Sequence, residues 1–441
     1  QLKQGMLPRG RAVVQAASKV VTRANPTPAR SAVGAEQSRS RSSKAASAWS
    51  RLSHTDGAVG YPNVNTRYVH DPYSPLTPPS EDNSLGTPDA RHWTDDKWAE
   101  SDLRQASEDH VMLSWTASEP VKDLPFIERG EGVYLYGSDG KKYLDWTSQA
   151  VCVNFGYTVP ETVRNAITEQ LDSLPYLYGG LGLVPVRAKL AKLLAELSPG
   201  DITGFLFPSG GGEANEAAIR MARLYTGRQK IFTQYRSYHG GSSSSLGATG
   251  DFRRRFAEST THGFVKFFNP QPTTFSWGAT DETATERALQ CLEEQFLAEG
   301  PESIAAVLLE SIVGAGGVLV PPDGYMTGVR SLCDKYGVLL ILDEVMVGFG
   351  RTGKFYGFQH FEGVIPDIVT SAKGLTGSFL PLAMVGVRQK IKDHFWKNPV
   401  GWGATYHAHP VALACAYETV KYFMKEDVIG NVQKMEPIMM E

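Results

Sequence analysis

Residues 337–353 read G-V-L-L-I-L-D-E-V-M-V-G-F-G-R-T-G, and this stretch decides the fold. The unbroken apolar run from Val338 to Leu342 ends at Asp343, as a strand buried on both faces of a parallel sheet does. A second apolar run, Ile368 to Thr370, ends shortly before Lys373. Because ligands bind at the carboxyl ends of parallel strands, we expect the acid and the lysine to meet at one site.

An acid and a lysine at two such strand ends suit pyridoxal phosphate. The lysine binds this cofactor covalently, and the acid pairs with the protonated ring nitrogen so that the ring acts as an electron sink. Each residue alone is ordinary, since many strands end in an acid and many lysines follow Ser-Ala. The rest of the chain therefore tests the idea.

Composition excludes several other classes of protein. A chain of 441 residues can bury a large core, and a net charge of −3 gives no support for nucleic-acid binding. No apolar run approaches the roughly 20 residues that span a bilayer, so we expect no membrane partner. The four cysteines are Cys152, Cys291, Cys333 and Cys415. Their spacing fits neither a metal site nor a C-x-x-C motif and is typical of buried thiols in a reducing compartment.

The amino-terminal residues differ in composition from the rest. Residues 1–54 are rich in Arg, Lys, Ala and Ser, and Glu36 is their one acid. This composition predicts a disordered organellar transit peptide, mitochondrial or, as the alternative, plastid. A basic tail without a targeting role is also compatible with it. Residues 55–108 are rich in Pro, Ser and Asp, lack periodicity and are predicted to be a linker.

A strand, a glycine loop and a helix start follow one another near residue 210. The apolar residues 205–207 precede P-S-G-G-G, and a helical pattern begins at Glu213. Glycines let backbone N–H groups approach an anion, and a helix N-terminus supplies positive potential. The pattern therefore predicts a phosphate cradle at Gly211 and Gly212, with Glu213 capping the loop from the first helical turn.

Further buried strands are predicted on both sides of this cradle. Residues 230–234 lead to Tyr238-His239-Gly240, and residues 304–309 end at Glu310. Two alternating strands flank Asp139-Gly140, which predicts a hairpin. Helical periodicity predicts helices over 161–171, 186–197 and 325–336.

Together these motifs resemble the class III aminotransferases, the ω-amino acid type of pyridoxal-phosphate enzymes, from about Trp115 to about Phe423. The resemblance lies in D-E-V-x-x-G-F-G-R-T-G with a later lysine, E-A-N-E after the glycine loop, an aromatic-His-Gly segment and T-Y-H-A-H-P at 405–410. It implies an α/β fold, the transferase fold type I, with a mostly parallel seven-stranded sheet flanked by helices and a smaller α+β domain. The implied domains are 109–165 (amino-terminal part of the small domain), 166–423 (large cofactor-binding domain) and 424–441 (start of a carboxyl-terminal part of the small domain).

The resemblance also implies roles for single residues. Lys373 would hold the cofactor and act as the base, and Asp343 would pair with the ring nitrogen. The other implied cofactor contacts are Gly211, Gly212, Tyr238 stacked on the ring, Val345 on its opposite face, and Thr405 at the phosphate of the neighbouring subunit in a homodimer with shared sites. The candidates on the substrate side are Trp115, Tyr178 and Glu310.

Some positions depart from the family pattern. Met346 stands where many relatives have a glutamine beside the ring oxygen, and a thioether cannot donate a hydrogen bond. His407 and His409 have metal-like spacing but no third ligand, so we expect no metal.

The implied reaction moves an amino group from an ω-amino acid or amine (β-alanine, taurine or 4-aminobutyrate type) to a keto acid such as pyruvate. The alternatives are an aminomutase or a decarboxylase of the same fold and, from another class, a non-catalytic homologue that acts as a binding protein.

Overall fold

The computed structural model describes residues 98–115, 117–256, 262–274 and 279–441, which fall into two compact units. Its described residues up to Phe126 belong to one unit, and Ile127 to Glu441 belong to the other. The predicted transit peptide and most of the predicted linker lie outside the described residues.

Helix α1, Glu100–His110, and a 3-10 turn, Glu119–Asp123, are the regular elements described in the first unit. The helix has no buried residue, and Arg104 pairs with Glu100 one turn away at 2.5 Å. It begins inside the range predicted as linker, where no helix was predicted from the sequence, and the linker assignment itself stays a prediction. Periodicity detects an apolar face, and a helix that is polar all round has none to detect.

A three-stranded antiparallel sheet opens the second unit. Its strands are β1, Ile127–Glu131, β2, Tyr134–Gly137, and β3, Lys142–Leu144, paired in that order. The hairpin predicted about Asp139-Gly140 joins β2 and β3 and is confirmed. Gly140 has a φ of +74°, a value that suits glycine in a tight turn.

A seven-stranded sheet forms the centre of the second unit, in the order β4-β10-β9-β8-β7-β5-β6. β10 runs antiparallel to both of its neighbours, and the other pairs are parallel. The prediction of a mostly parallel seven-stranded sheet is thus confirmed. The strands are β4, Ile202–Leu206; β5, Lys230–Gln234; β6, Phe264–Phe267; β7, Ile304–Glu310; β8, Leu339–Asp343; β9, Ile368–Ser371; and β10, Met384–Arg388.

Helices cover both faces of this sheet. The predicted helices near 161–171, 186–197 and 325–336 are all present, with ends that differ by at most two residues. The helices of this unit are α2, Ser148–Val151; α3, Glu161–Ser173; α4, Pro185–Leu197; α5, Gly211–Thr226; α6, Ser243–Ala248; α7, Ala284–Glu299; α8, Tyr325–Tyr336; α9, Gln389–Lys397; α10, Pro410–Lys425; and α11, Val428–Met440.

The side chains of the central strands alternate between two apolar clusters. Leu340 and Leu342 of β8 pack in the cluster that contains residues of α4, α7, α8 and α10. Leu339 and Ile341 pack in the cluster that contains residues of α5 and α9. Successive residues of a strand point to opposite faces, so a strand covered on both faces must be apolar throughout. This explains the continuous run in the sequence.

The domain boundaries predicted at 165 and 423 fall inside the second unit and stay predictions. No helix within the described ranges is long and apolar enough to cross a membrane. All four cysteines are free.

Candidate active site

Asp343 is the last residue of β8, and its side chain is only 4% exposed. Its Oδ1 accepts a hydrogen bond from the backbone N–H of Val345 at 2.9 Å. Its Oδ2 lies 2.7 Å from Nδ2 of Asn215 and 2.8 Å from Nδ1 of His239. An ionised carboxylate only accepts hydrogen bonds, so these three contacts are satisfied without a proton on Asp343.

Lys373 lies two residues beyond β9, where it begins a 3-10 turn. Asp343 and Thr370 are register partners on adjacent strands, so the lysine follows the partner of the acid by three residues. The φ of Lys373 is +37°, a strained value of the kind found at functional sites. Burial lowers the pKa of its ammonium group, and the charge of Asp343 opposes this shift. A lowered pKa favours the neutral amine, the form that acts as nucleophile or base.

The glycine loop lies at the N-terminus of α5, a helix of 16 residues. A Cβ on Gly211 would lie 2.8 Å from a methyl group of Val345, and a Cβ on Gly212 would lie 3.4 Å from Cα of Gly240. The contact at Gly211 is too close for a side chain unless Val345 moves, whereas the contact at Gly212 is an ordinary van der Waals distance. Oε2 of Glu213 accepts from the backbone N–H of Ser209 at 2.9 Å, which confirms the predicted cap.

Tyr238 is fixed through its backbone by Glu310. Oε1 of Glu310 accepts from the N–H of Tyr238 at 2.9 Å, and Oε2 accepts from the N–H of Gly314 at 2.8 Å. Burial raises the pKa of Glu310 to about 7, and the nearby charge of Asp343 adds to the shift. Both carboxylate oxygens thus hold backbone groups in place. The role of Glu310 toward the substrate stays a prediction.

Arg253 covers one face of the Tyr238 ring, with its guanidinium carbon 3.8 Å from the ring centroid. Asp251 in turn binds Nε of Arg253 at 2.8 Å. The cation is attracted by the ring quadrupole and so helps to fix the position of Tyr238, whose stacking on the cofactor stays a prediction.

Glu344 follows Asp343 and is fully buried. Its oxygens accept from the N–H groups of Gly357 at 2.6 Å and Phe358 at 3.0 Å, and from the hydroxyl of Ser311. Burial raises the pKa of its carboxyl to about 7. These contacts anchor a turn of the chain, so two adjacent acids at one strand end have different environments.

The residues present fit pyridoxal phosphate. The start of α5 offers backbone N–H groups to an anion, and at Gly211 an added Cβ would lie 2.8 Å from Val345. Oδ1 of Asp343 has one donor, where Oδ2 has two, and so retains acceptor capacity for a ring N–H. Lys373 lies close enough to Asp343 for the acid's charge to act on its pKa.

The profile of the class-III aminotransferases matches residues 116–441. The chain belongs to the class-III aminotransferases. It is accordingly a transaminase that depends on pyridoxal phosphate, and the cofactor inferred from the sequence is confirmed. The match spans the region of the motifs from which the family resemblance was inferred.

Three relatives illustrate the range within this family. The putrescine–pyruvate aminotransferase of Pseudomonas aeruginosa is 35% identical over 350 residues, which are 74% of each chain. The mitochondrial gamma-aminobutyrate transaminase 1 of rice (Oryza sativa subsp. japonica) is 33% identical over 353 residues, 74% of this chain and 67% of the relative. A crystal structure of the taurine:2-oxoglutarate aminotransferase of Bifidobacterium kashiwanohense, with PLP and glutamate, is 41% identical. The two structures superpose with a TM-score of 0.73, and the match covers 78% of this chain and 77% of that chain.

In this class-III aminotransferase, Met346 lies against a glycine of the neighbouring loop. A Cβ on Gly314 would lie 1.9 Å from the Met346 sulfur, so the thioether fills the space beside that backbone. Oε2 of Glu310, which accepts from the N–H of Gly314, holds the same loop. The departure from glutamine is therefore accommodated by packing rather than by a hydrogen bond.

Thr405 lies beside Tyr176. The hydroxyl of Tyr176 donates to the carbonyl of Thr405 at 2.8 Å, and the ring of Tyr178 lies beside Gly180 and is 55% exposed. Thr405 is exposed, and its hydroxyl makes no hydrogen bond within the described ranges. Trp115 belongs to the other unit, so its role on the substrate side stays a prediction.

The histidines near Thr405 do not resemble metal ligands. Nε2 of His407 faces a guanidinium nitrogen of Arg187 at 3.3 Å, and burial lowers the pKa of His407 to about 4. The ring is therefore neutral and uses Nε2 as an acceptor. In the described part of the chain, no group of three or more potential ligands could hold a metal ion.

Two residues that contact Asp343 or its surroundings were not predicted from the sequence. Asn215 lies on the buried face of α5, and Thr370 lies one strand away on β9. The signal for Asn215 was available in the sequence. It is a polar residue on an otherwise apolar helix face, four positions after Gly211. A threonine in a buried strand gives no such signal, because β-branched residues are common in strands.

Proposed function

We propose that this class-III aminotransferase moves an amino group from an ω-amino acid or an amine to a keto acid such as pyruvate. The observation that carries the proposal is the convergence of Asp343, Lys373 and the glycine cradle at one edge of the sheet. The relatives named above act on putrescine, taurine or 4-aminobutyrate, donors that share a primary amine on an unbranched chain. β-Alanine belongs to the same chemical class.

Each converging residue has a role in this proposal. The N–H groups of Gly211 and Gly212 would bind the phosphate, and Tyr238 and Val345 would contact the ring. Asp343 accepts the ring N–H through Oδ1. Lys373 binds the cofactor covalently when the enzyme rests.

Pyridoxal phosphate, when bound, supplies an electron sink for negative charge on the donor carbon. With the cofactor bound, the amine of Lys373 would be the base that takes the proton from the donor carbon. The lowered pKa of its ammonium group supports this role, because a neutral amine is the competent base. Asp343 keeps a negative charge opposite the ring nitrogen and so maintains its protonation.

Product analysis tests the reaction. The purified protein with bound cofactor is incubated with pyruvate and each of four donors: putrescine, taurine, 4-aminobutyrate and β-alanine. We expect alanine to accumulate with at least one donor. A donor that loses carbon dioxide, or an amino group that moves within one molecule without alanine formation, would instead favour the decarboxylase or aminomutase.

The role of Lys373 is tested by covalent mapping. Borohydride reduction fixes the cofactor to its lysine, and peptide mapping should then find the label on Lys373. Lys373→Ala should fold, retain non-covalent binding of pyridoxal phosphate and lose turnover. Lys335→Ala is a matched control, since that lysine lies on α8 and is 60% exposed. A label on another lysine would contradict the assignment.

We further propose a homodimer with shared sites, in which Thr405 completes the phosphate cradle of the other subunit. The exposed position of Thr405, beside the exposed rings of Tyr176 and Tyr406, supports a surface that a second copy covers. Losing one hydrogen bond to a charged group costs roughly 1.5–3 kcal/mol, so Thr405→Ala should weaken cofactor binding by about ten- to a hundredfold.

Complementation tests the sharing directly. When Lys373→Ala and Thr405→Ala subunits are mixed, one site of a mixed dimer carries both changes and the other carries neither. Activity should therefore exceed that of either parent. A mixture that exchanges subunits, shown by mass, but gains no activity would mean that Thr405 serves its own subunit or no phosphate.

For localisation we propose the mitochondrion, with the plastid as the alternative. The support is the basic, acid-poor composition of residues 1–54. A fluorescent protein fused after residue 54 should enter mitochondria, and replacing the arginines of this segment by glutamine should abolish import. Diffuse fluorescence of the unmodified fusion would contradict a targeting role.

A further inference from the structure

Asn215 lies at the centre of a buried hydrogen-bond network beside Asp343. The residue is 1% exposed. Its Nδ2 donates to Oδ2 of Asp343 at 2.7 Å and to the carbonyl of His239 at 2.7 Å. Its Oδ1 accepts from the hydroxyl of Thr370 at 2.7 Å. Both polar atoms of the amide are therefore engaged.

The chemistry of the partners fixes the orientation of this amide. A backbone carbonyl and an ionised carboxylate can only accept, so both must face the NH2 group of Asn215. The Thr370 hydroxyl can donate or accept, and it donates because the remaining atom is the amide oxygen. The network thus has one consistent arrangement, and that arrangement leaves no proton on Oδ2 of Asp343.

His239 completes the coordination of the same oxygen. Its Nδ1 lies 2.8 Å from Oδ2, and its Nε2 is buried with no hydrogen-bond partner among the described residues. Nδ1 therefore carries a proton in this contact, because an ionised carboxylate oxygen can only accept. Oδ2 has two donors, whereas Oδ1 accepts from the N–H of Val345 alone among the residues that the structure describes.

We propose that Asn215, oriented by Thr370, is a positioning residue that directs Oδ1 of Asp343 toward the cofactor and keeps this carboxylate ionised. The inference rests on the proposed function, in which Asp343 faces the ring nitrogen. The network also joins the two strands of the site, because Thr370 is the register partner of Asp343 and precedes Lys373 by three residues. The strand that holds the acid is thereby locked to the strand that leads to the lysine.

Asn215→Asp is the informative substitution, because it keeps the shape and replaces a donor by an acceptor. Two carboxylates at 2.7 Å share a proton, since like charges so close do not both ionise. The pair then carries one negative charge spread over both side chains, so less of that charge lies on Asp343 opposite the ring nitrogen, and the ring nitrogen loses its proton more readily. With less positive charge nearby, the pKa of the Lys373 nitrogen in the holoenzyme should rise by about one unit.

Thr370→Val and Thr370→Ser form a second, independent pair. Valine removes the hydroxyl that orients the amide, and we expect a smaller shift in the same direction. Serine keeps the hydroxyl and should restore the wild-type titration. Asn269→Asp is the matched control, because Asn269 is also buried but contacts Gln234 at the end of β5, two strands away from Asp343.

The experiment titrates the absorbance of bound pyridoxal phosphate against pH in the full chain and measures cofactor dissociation by dialysis. We expect a raised pKa and at least tenfold weaker binding for Asn215→Asp, and no pKa change for Asn269→Asp. Lowered thermal stability with an unchanged titration would show a merely structural role and overturn the inference. If Asn215→Asp does not fold, an unchanged titration in Thr370→Val overturns it. A wild-type chain that binds no cofactor would instead overturn the proposed function.

Discussion

Replacing Asp343 by asparagine removes one charge from the site and keeps the shape of the side chain. The asparagine carbonyl belongs at the Oδ2 position, which faces two donors, Asn215 and His239. The new NH2 group then lies at the Oδ1 position, against the N–H of Val345. It can no longer accept a ring N–H, so the cofactor is forced toward the unprotonated ring and loses its electron sink.

The size of the effect follows from the lost charge. Two unit charges about 4 Å apart interact by about 4 kcal/mol at an effective dielectric constant of about 20. About 1.36 kcal/mol changes a rate tenfold, so proton removal from the donor should slow by about a thousandfold. Cofactor affinity should fall less, because the phosphate contacts at Gly211 and Gly212 are unchanged.

The assay is a single-turnover measurement on the holoenzyme with a donor amine and no keto acid, followed by the absorbance of the cofactor. Asp367→Asn is the control. Asp367 is equally buried and pairs with Arg330 at 2.9 Å, but it precedes β9 at the end of the strand away from Lys373. We expect this control to lower thermal stability and keep the rate. A rate for Asp343→Asn within tenfold of wild type would refute the assignment of Asp343.

Three further predictions follow from single contacts. Gly211→Ala places a methyl group 2.8 Å from Val345 and should weaken cofactor binding at least tenfold, as measured by equilibrium dialysis. Gly210→Ala is the control and should bind the cofactor normally, because a Cβ there meets nothing within 4 Å. Glu344 has a pKa raised from 4.5 to about 7, so the stability that it contributes is complete below pH 4.5 and is lost as the pH rises through 7. Thermal unfolding of Glu344→Gln should depend less on pH in this range, and an unchanged slope would show that another group titrates. Glu310→Gln puts an NH2 group against the backbone N–H of Tyr238 or of Gly314. It should therefore raise the KM of the donor and lower the free energy of unfolding by roughly 1.5–3 kcal/mol. A variant as stable as wild type would show that these contacts are dispensable.

The sequence determined the architecture because the signals for it are local. A strand covered on both faces must be apolar at every position, so β8 and β9 are recognisable without knowledge of their neighbours. The order of acid, lysine and glycine loop along the chain then predicted which edge of the sheet holds the site. The loop itself was recognisable because only glycine permits the close approach of backbone at Gly211.

The polar elements without an apolar face were harder to predict. Helix α1 buries no residue and was assigned to a linker, because periodicity has no buried stripe to report there. Strand β1 was missed as well, and each of its five residues is exposed. In both cases the pattern that predicts structure is a pattern of burial, and these elements lack it.

Only the tertiary structure decided what surrounds Asp343. Asn215, His239 and Thr370 lie on three different elements, and no spacing in the chain relates an amide on α5 to a hydroxyl on β9. Hydrogen bonds form at about 3 Å, a distance that folding sets and sequence order does not. The sequence by itself therefore determined which acid and which lysine meet, because strand ends of a parallel sheet share an edge. Folding decided which oxygen of that acid remains available, because that depends on donors brought from elsewhere in the chain.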